Sequence, residues 1–124
     1  MTKRLFLGAC GAALMLATSL FAADATPKTV IHVISIKWKA GATPAQIDKA
    51  IKGAEALPSE YRGIVRVWTK PIKKQLPEGY NHVIVMEFAS EDALKDYADS
   101  AAQKKWYEAY MPIREESRTS DITN

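Results

Sequence analysis

Cysteine is nearly missing from this chain of 124 residues: Cys10 is the one present. No disulfide can form within a single copy, so stability must come from packing or from oligomerisation. Histidine is scarce too, with His32 and His82 alone. No His-x-x-x-His or Cys-x-x-Cys spacing occurs, and no nucleotide-binding loop or Ser-His-Asp order stands out. Neither a metal site nor a cofactor is therefore expected. Charge of one sign is also lacking, since 17 basic residues face 14 acidic ones for a formal net charge of +3. That balance is too mild for a nucleic-acid surface. Lys70, Lys73 and Lys74 do cluster in "TKPIKKQLPEGY", but prolines and a glycine bracket them and mark a solvated loop.

Only one long apolar run exists, and it lies at the start. "LFLGACGAALMLATSLFA" follows Lys3 and Arg4 without a charge, and Ala23-Asp24-Ala25 then offers a small-x-small exit. This pattern predicts a secretory signal peptide over residues 1–25, cleaved after Ala25. Residues 26–124 would remain as one exported domain, periplasmic or secreted, touching a membrane only through the leader before cleavage. The run sits at the lower limit for spanning a bilayer, and its small-residue exit favours removal over retention as an anchor. "LGAC" has the look of a lipidation box, yet only a few apolar residues precede Cys10 and the run continues past it.

The remaining chain alternates strand and helix patterns. "TVIHVISIKWK", 29–39, is β-branched and puts His32, Ile34, Ile36 and Trp38 on one face, with Ile31, Val33, Ser35 and Lys37 on the other. Thr43, Pro44 and Gln46 open a helix as N-cap, first-turn proline and capping-box partner. Ile47, Ala50, Ile51, Ala54 and Leu57 form its stripe, and Pro58 is expected to stop it. Strands follow over 63–70 and 80–88. The second of these places Tyr80, His82, Ile84, Met86 and Phe88 on one face and Asn81, Val83, Val85 and Glu87 on the other. Ser90 caps a further helix whose first turn carries Glu91 and Asp92. Its expected buried stripe is Ala93, Leu94, Tyr97, Ala98 and Ala101, and "KKWYEAYMP" continues as helix to Pro112. "ESRTSDIT", 116–123, is a candidate last edge strand. The order β-α-β-β-α-β predicts an α+β, ferredoxin-like subunit with both helices on one face of an antiparallel sheet. Valines and isoleucines occupy both faces of the strands, so the face left bare predicts a contact surface, most simply for a second copy of the same sheet.

"HVISIKWK", "GYNHVIVMEF", "SEDALKDYADSAAQKKW" and the closing "TSDIT" together resemble the stress-responsive dimeric α/β-barrel (Dabb) family across residues 30–122. The resemblance implies a homodimer in which two ferredoxin-like subunits face their sheets together as a barrel. It implies less about activity, since most members have no assigned reaction. Some plant members cyclise a linear polyketide between sheet and helices. There a tyrosine of the second helix orients substrate and a histidine six residues later acts as base. Tyr97 matches that tyrosine, and His32 and His82 match two strand histidines of the plant enzymes. The base position falls on Gln103, whose amide cannot take a proton at neutral pH.

These observations set the expected site. His82 and Tyr97 are the catalytic candidates. The expected ligand pocket comprises His32, His82, Ile84, Met86, Tyr97, Gln103 and Trp106, with Tyr107 and Tyr110 able to help roof it. A shared metal between His32 and His82 is disfavoured. The two strands are antiparallel neighbours, and an offset of four residues separates the histidines by about 13 Å. The expected function is an exported homodimer binding a small, mostly apolar molecule between sheet and helices. One alternative is a cofactor-independent enzyme, polyketide-cyclase-like or monooxygenase-like, using Tyr97 and His82. Another is a structural stress-protection protein. A cavity of about 300 Å³ or more favours binding or catalysis, and a solid core favours the structural role. A first expected outcome concerns the leader: N-terminal sequencing of exported protein should read from Thr26, and a start at Met1 or a lipid on Cys10 would contradict it.

Overall fold

The computed structural model describes residues 28–73 and 76–124. The expected signal peptide with its Ala25 exit, Cys10, Thr26 and Lys74 lie outside the described residues. Seven elements follow in order: β1 Val30–Trp38, α1 Pro44–Glu60, β2 Ile64–Trp68, β3 His82–Phe88, α2 Glu91–Tyr97, α3 Ala101–Tyr110 and β4 Arg114–Thr123. The strands form one sheet in the order β2-β3-β1-β4, with every neighbouring pair antiparallel. This is the ferredoxin-like α+β arrangement that the sequence pattern predicts.

The alternation of β1 and β3 decides where the core sits. Ile34, Ile36, Ile84, Met86 and Phe88 are at most 5% exposed, because they face the helices. Ile31, Val33, Ser35, Val83 and Val85 are half-buried on the other face. Trp68 pairs with Val85 on that same face and is 45% exposed. Arg66 and Glu87 also pair there, with the guanidinium 2.8 Å from the carboxylate. Arg66, ahead of Thr29, holds the Glu87 carboxyl below its ordinary range. Between Lys37 and Trp38 the β1–β4 ladder shifts register, so that Lys37 pairs with Glu116 but Trp38 with Arg114.

Helix α1 begins on the predicted capping box. Thr43 accepts from the Gln46 backbone, and the Gln46 side chain accepts from the Thr43 N–H. Pro58 does not stop it. The helix runs on to Glu60, since a proline in the last turn removes one hydrogen bond but need not end the coil when neighbouring groups close it. Here the Tyr61 N–H bonds to the Leu57 carbonyl at 2.8 Å, and the Ser59 hydroxyl donates to that of Ala56.

The second helical segment is two helices, not one. Asp99 adopts φ 63°, the left-handed region that Asp tolerates better than most residues, and Ser100 then caps α3. The break rotates the stripe: Ala98 and Ala101 are exposed, while Ala102, Trp106 and Tyr110 are buried. Trp106 ties α3 to α1, its indole N–H donating to the Ala50 carbonyl at 2.9 Å. Its ring also stacks on Tyr110, with centroids 4.4 Å apart.

This clamp generates a test at Gly53, where an added Cβ would lie 3.0 Å from the Trp106 ring. Gly→Ala in a helix ordinarily gains about 1 kcal/mol. Trp106 cannot retreat without losing its hydrogen bond or its stack, and overpacking costs about 1–3 kcal/mol. Gly53→Ala should therefore lower the urea midpoint. A more stable variant would show that the clamp is looser than described.

Candidate functional site

Helix α3 packs chiefly on α1 and leaves the helix side of β4 uncovered. A half-open cavity of about 460 Å³ results, within the range of small-molecule sites. Its sheet side is built by His32, Ile34, Ser117, Thr119 and Asp121. Period-two spacing places these β4 residues in one row, and the antiparallel register sets Asp121 opposite His32. Leu94, Tyr97 and Ala98 come from α2 and the residues after it; Gln103, Trp106, Tyr107 and Tyr110 come from α3. Arg114, at the start of β4, completes the lining.

Of the expected pocket residues, His32, Tyr97, Gln103 and Trp106 meet here, and Tyr107 and Tyr110 join them. His82, Ile84 and Met86 do not line this cavity. Ile84 and Met86 are fully buried under the helices. His82 pairs with Ile36, four residues along β1 from His32, so the two histidines stand at the separation expected of them. At that end of the sheet the His82 ring nitrogen Nε2 lies 3.1 Å from the Thr69 carbonyl, and its ring packs 5.9 Å from Trp38. His82 and Tyr97 therefore border different regions, because the strand register carries His82 away from α2.

A histidine with a carboxylate partner is nevertheless in the cavity. His32 Nδ1 lies 2.5 Å from Asp121 Oδ1. A neutral imidazole that donates its Nδ1–H to Asp121 is fixed in the tautomer whose Nε2 carries the lone pair. Such a nitrogen can accept a proton. Gln103 stands where the resemblance implies a base, and the cavity holds an imidazole on its sheet side instead, with Asp121 facing it across the β1–β4 pair. The sequence signal was available: the "TSDIT" strand carries one acid at the helix-side parity, and β4 neighbours β1 in this topology.

Gln103 itself works on the backbone. Its side-chain oxygen accepts from the Asp99 N–H at 2.7 Å, and its amide donates to the Tyr107 hydroxyl at 3.2 Å. It holds the α2–α3 break in shape and sets one cavity wall.

The tyrosines are donors rather than bases. Burial raises the Tyr97, Tyr107 and Tyr110 pKa values, with Arg114 opposing the shift at the latter two. All three stay protonated near neutral pH. Tyr97 is 4% exposed, packed between Tyr61 and Phe88 with ring centroids 5.5 and 5.3 Å away. Its hydroxyl has no hydrogen-bond partner among the described residues. The Tyr110 hydroxyl also lacks a bond of good geometry, although Ser117 and Arg114 lie close enough to act on it.

Comparison with known proteins bears on this arrangement. The family model described as the stress responsive A/B barrel domain matches residues 30–124. A dimeric ferredoxin-like protein of unknown function from Thermobifida fusca is similar in structure, with a TM-score of 0.66 at 15% identity over 78% of this chain and 92% of that one. A dimeric protein of unknown function with a ferredoxin-like fold from Bacteroides fragilis gives 0.65 at 18% identity, over 77% and 96%. The hydroxynitrile lyase of Passiflora edulis gives 0.70 at 16% identity, over 80% and 95%. No curated protein matches the chain. Identities this low speak for a shared fold alone.

Proposed function

The chain belongs to the stress responsive A/B barrel domain family, and on that premise we propose that it self-associates through its bare sheet face and binds a small molecule in the cavity under α2 and α3. The observation that carries the binding reading is the Tyr97 hydroxyl, buried without a partner in the wall of the 460 Å³ cavity. An unsatisfied buried hydroxyl costs about 1–3 kcal/mol. The hydroxyl is closed to solvent, so a ligand oxygen accepts from it, and removes that cost, once the ring turns toward the cavity. The cavity supports this reading over a purely structural stress-protection role. Export of the mature domain completes the proposal and rests on the leader pattern alone.

Self-association is supported by the half-buried Val33, Val83 and Val85 and the exposed Trp68 on one sheet face. It is supported also by the Thermobifida fusca and Bacteroides fragilis proteins, which are described as dimeric. Pairing two such faces would bury this apolar surface.

A second reading, a cofactor-independent enzyme, is favoured by the His32–Asp121 pair. In that reading His32 Nε2 accepts a proton from the bound molecule, and a protonated tyrosine donates to the oxygen on which charge develops. A hydroxynitrile lyase among the structural relatives supports the capacity of this fold for catalysis.

Two substitutions separate these elements. In Tyr97→Phe the orphaned hydroxyl is gone, so the ligand-free protein should be as stable as wild type or more stable in urea. Native mass spectrometry of purified wild type should reveal a retained small molecule, and Tyr97→Phe should hold it more weakly by about 0.5–1.5 kcal/mol. Unchanged affinity would remove Tyr97 from the site. Val85→Lys places a charge at the centre of the bare face, where burying it unpaired would cost several kcal/mol. Light scattering should then report a monomer, and a persistent dimer would locate the contact elsewhere.

A further inference from the structure

We infer that the molecule taken by this cavity is a small carboxylic acid with an apolar body, its carboxylate held by Arg114. The inference rests on the cavity being a ligand site and assigns the chemistry of what enters it. The other two arginines on strands, Arg66 and Arg118, each lie 2.8 Å from a carboxylate, of Glu87 and Glu78 respectively. Arg114 forms no ion pair among the described residues. Its side chain turns along the strand, with Nη1 donating to the Ser117 hydroxyl at 3.2 Å and the guanidinium 5.6 Å from the centroid of the Tyr110 ring. A guanidinium presents five N–H donors in a planar fork that matches a carboxylate. The Ser117 bond engages one of them.

The surroundings suit an anion at this end and not at the other. Asp121 is the one carboxylate that lines the cavity, and it is engaged with His32. Asp99 acts on Tyr107 from outside the lining. Along β4, Asp121 stands opposite His32 and Ser117 opposite Ile36, so four residues, or about 13 Å of strand, separate the two ends. Between them the lining is aromatic and mostly apolar, with Trp106 and Tyr110 buried and stacked on one another and Tyr107 half-buried beside them. The arrangement selects a molecule with an acid at one end, an apolar body in the middle, and a proton-bearing group able to meet His32 at the other.

The test compares an isosteric pair, 3-phenylpropionate and its neutral amide 3-phenylpropionamide, titrated into the full folded protein at neutral pH while the Trp106 indole N–H signal is followed by NMR. The acid should bind at least about tenfold more tightly than the amide, as a charge-assisted bidentate contact requires. Arg114→Gln should bring the acid down to the amide's affinity and leave the amide unchanged. Arg114→Lys, which keeps the charge without the fork, should retain part of the preference and serves if the glutamine variant does not fold. Equal binding of acid and amide to wild type would overturn the carboxylate assignment while leaving the ligand cavity standing, with Arg114 then acting only as a packing partner of Tyr110. No response to either probe at about 10 mM would overturn the cavity reading and this inference together.

Discussion

Trp106 is the constraint on which the rest of the molecule depends. Its indole binds the Ala50 carbonyl and its face lies flat on Tyr110, so α3 is committed to α1 and held off β4. Had α3 settled directly on β4, the row Ser117, Thr119 and Asp121 would have been buried against apolar helix, which their hydroxyls and carboxylate resist. The polar row and the Trp106 clamp therefore require each other. A fold that buries a continuous core beneath α1 also keeps one region unfilled, and His32, Asp121 and Arg114 border it.

The division of labour within the cavity differs from what family likeness suggests. At the position where plant relatives carry a basic histidine, Gln103 stands, and it serves the turn between α2 and α3 instead of chemistry. Proton-accepting capacity sits on the sheet, in His32 backed by Asp121. The groups on the helices, Tyr97, Tyr107 and Tyr110, stay protonated through burial. Acceptor below and donors above is an arrangement that can polarise a molecule lying between them.

Much of this was legible in the sequence, for identifiable reasons. Strands β1 and β3 declare themselves because their alternation separates a mostly apolar face from a mixed one, and α1 because Thr43 and Gln46 spell its start. The four-residue offset between His32 and His82 follows from antiparallel pairing with the strand centres aligned, which the register bears out. Strand β4 is longer than its pattern indicates, since "REESRTSDIT" is almost wholly polar and owes its shape to the ladder with β1 rather than to burial. The α2–α3 break is written in Asp99-Ser100 and in Ser100-x-x-Gln103, yet Ala98, Ala101 and Ala102 on either side hide it from a periodicity argument. Tyr97 and His32 fall into the cavity as the pattern suggests. Arg114 does not announce itself, because the face it occupies depends on a register shift that only the paired strands reveal.

That register carries a consequence in the sign of the electric field. An uninterrupted β1–β4 ladder would pair Trp38 with Glu115 and so aim a carboxylate, not a guanidinium, toward the helices. The shift between Lys37 and Trp38 advances the strand by one residue, setting Arg114 opposite Trp38 and sending Glu115 to Lys37 on the far side of the sheet. A single extra residue in one strand thus decides which sign of charge stands at the cavity's end. Among relatives of the same fold, the presence or absence of this irregularity would sort cavities into those that attract anions and those that repel them, independently of every residue that lines the floor.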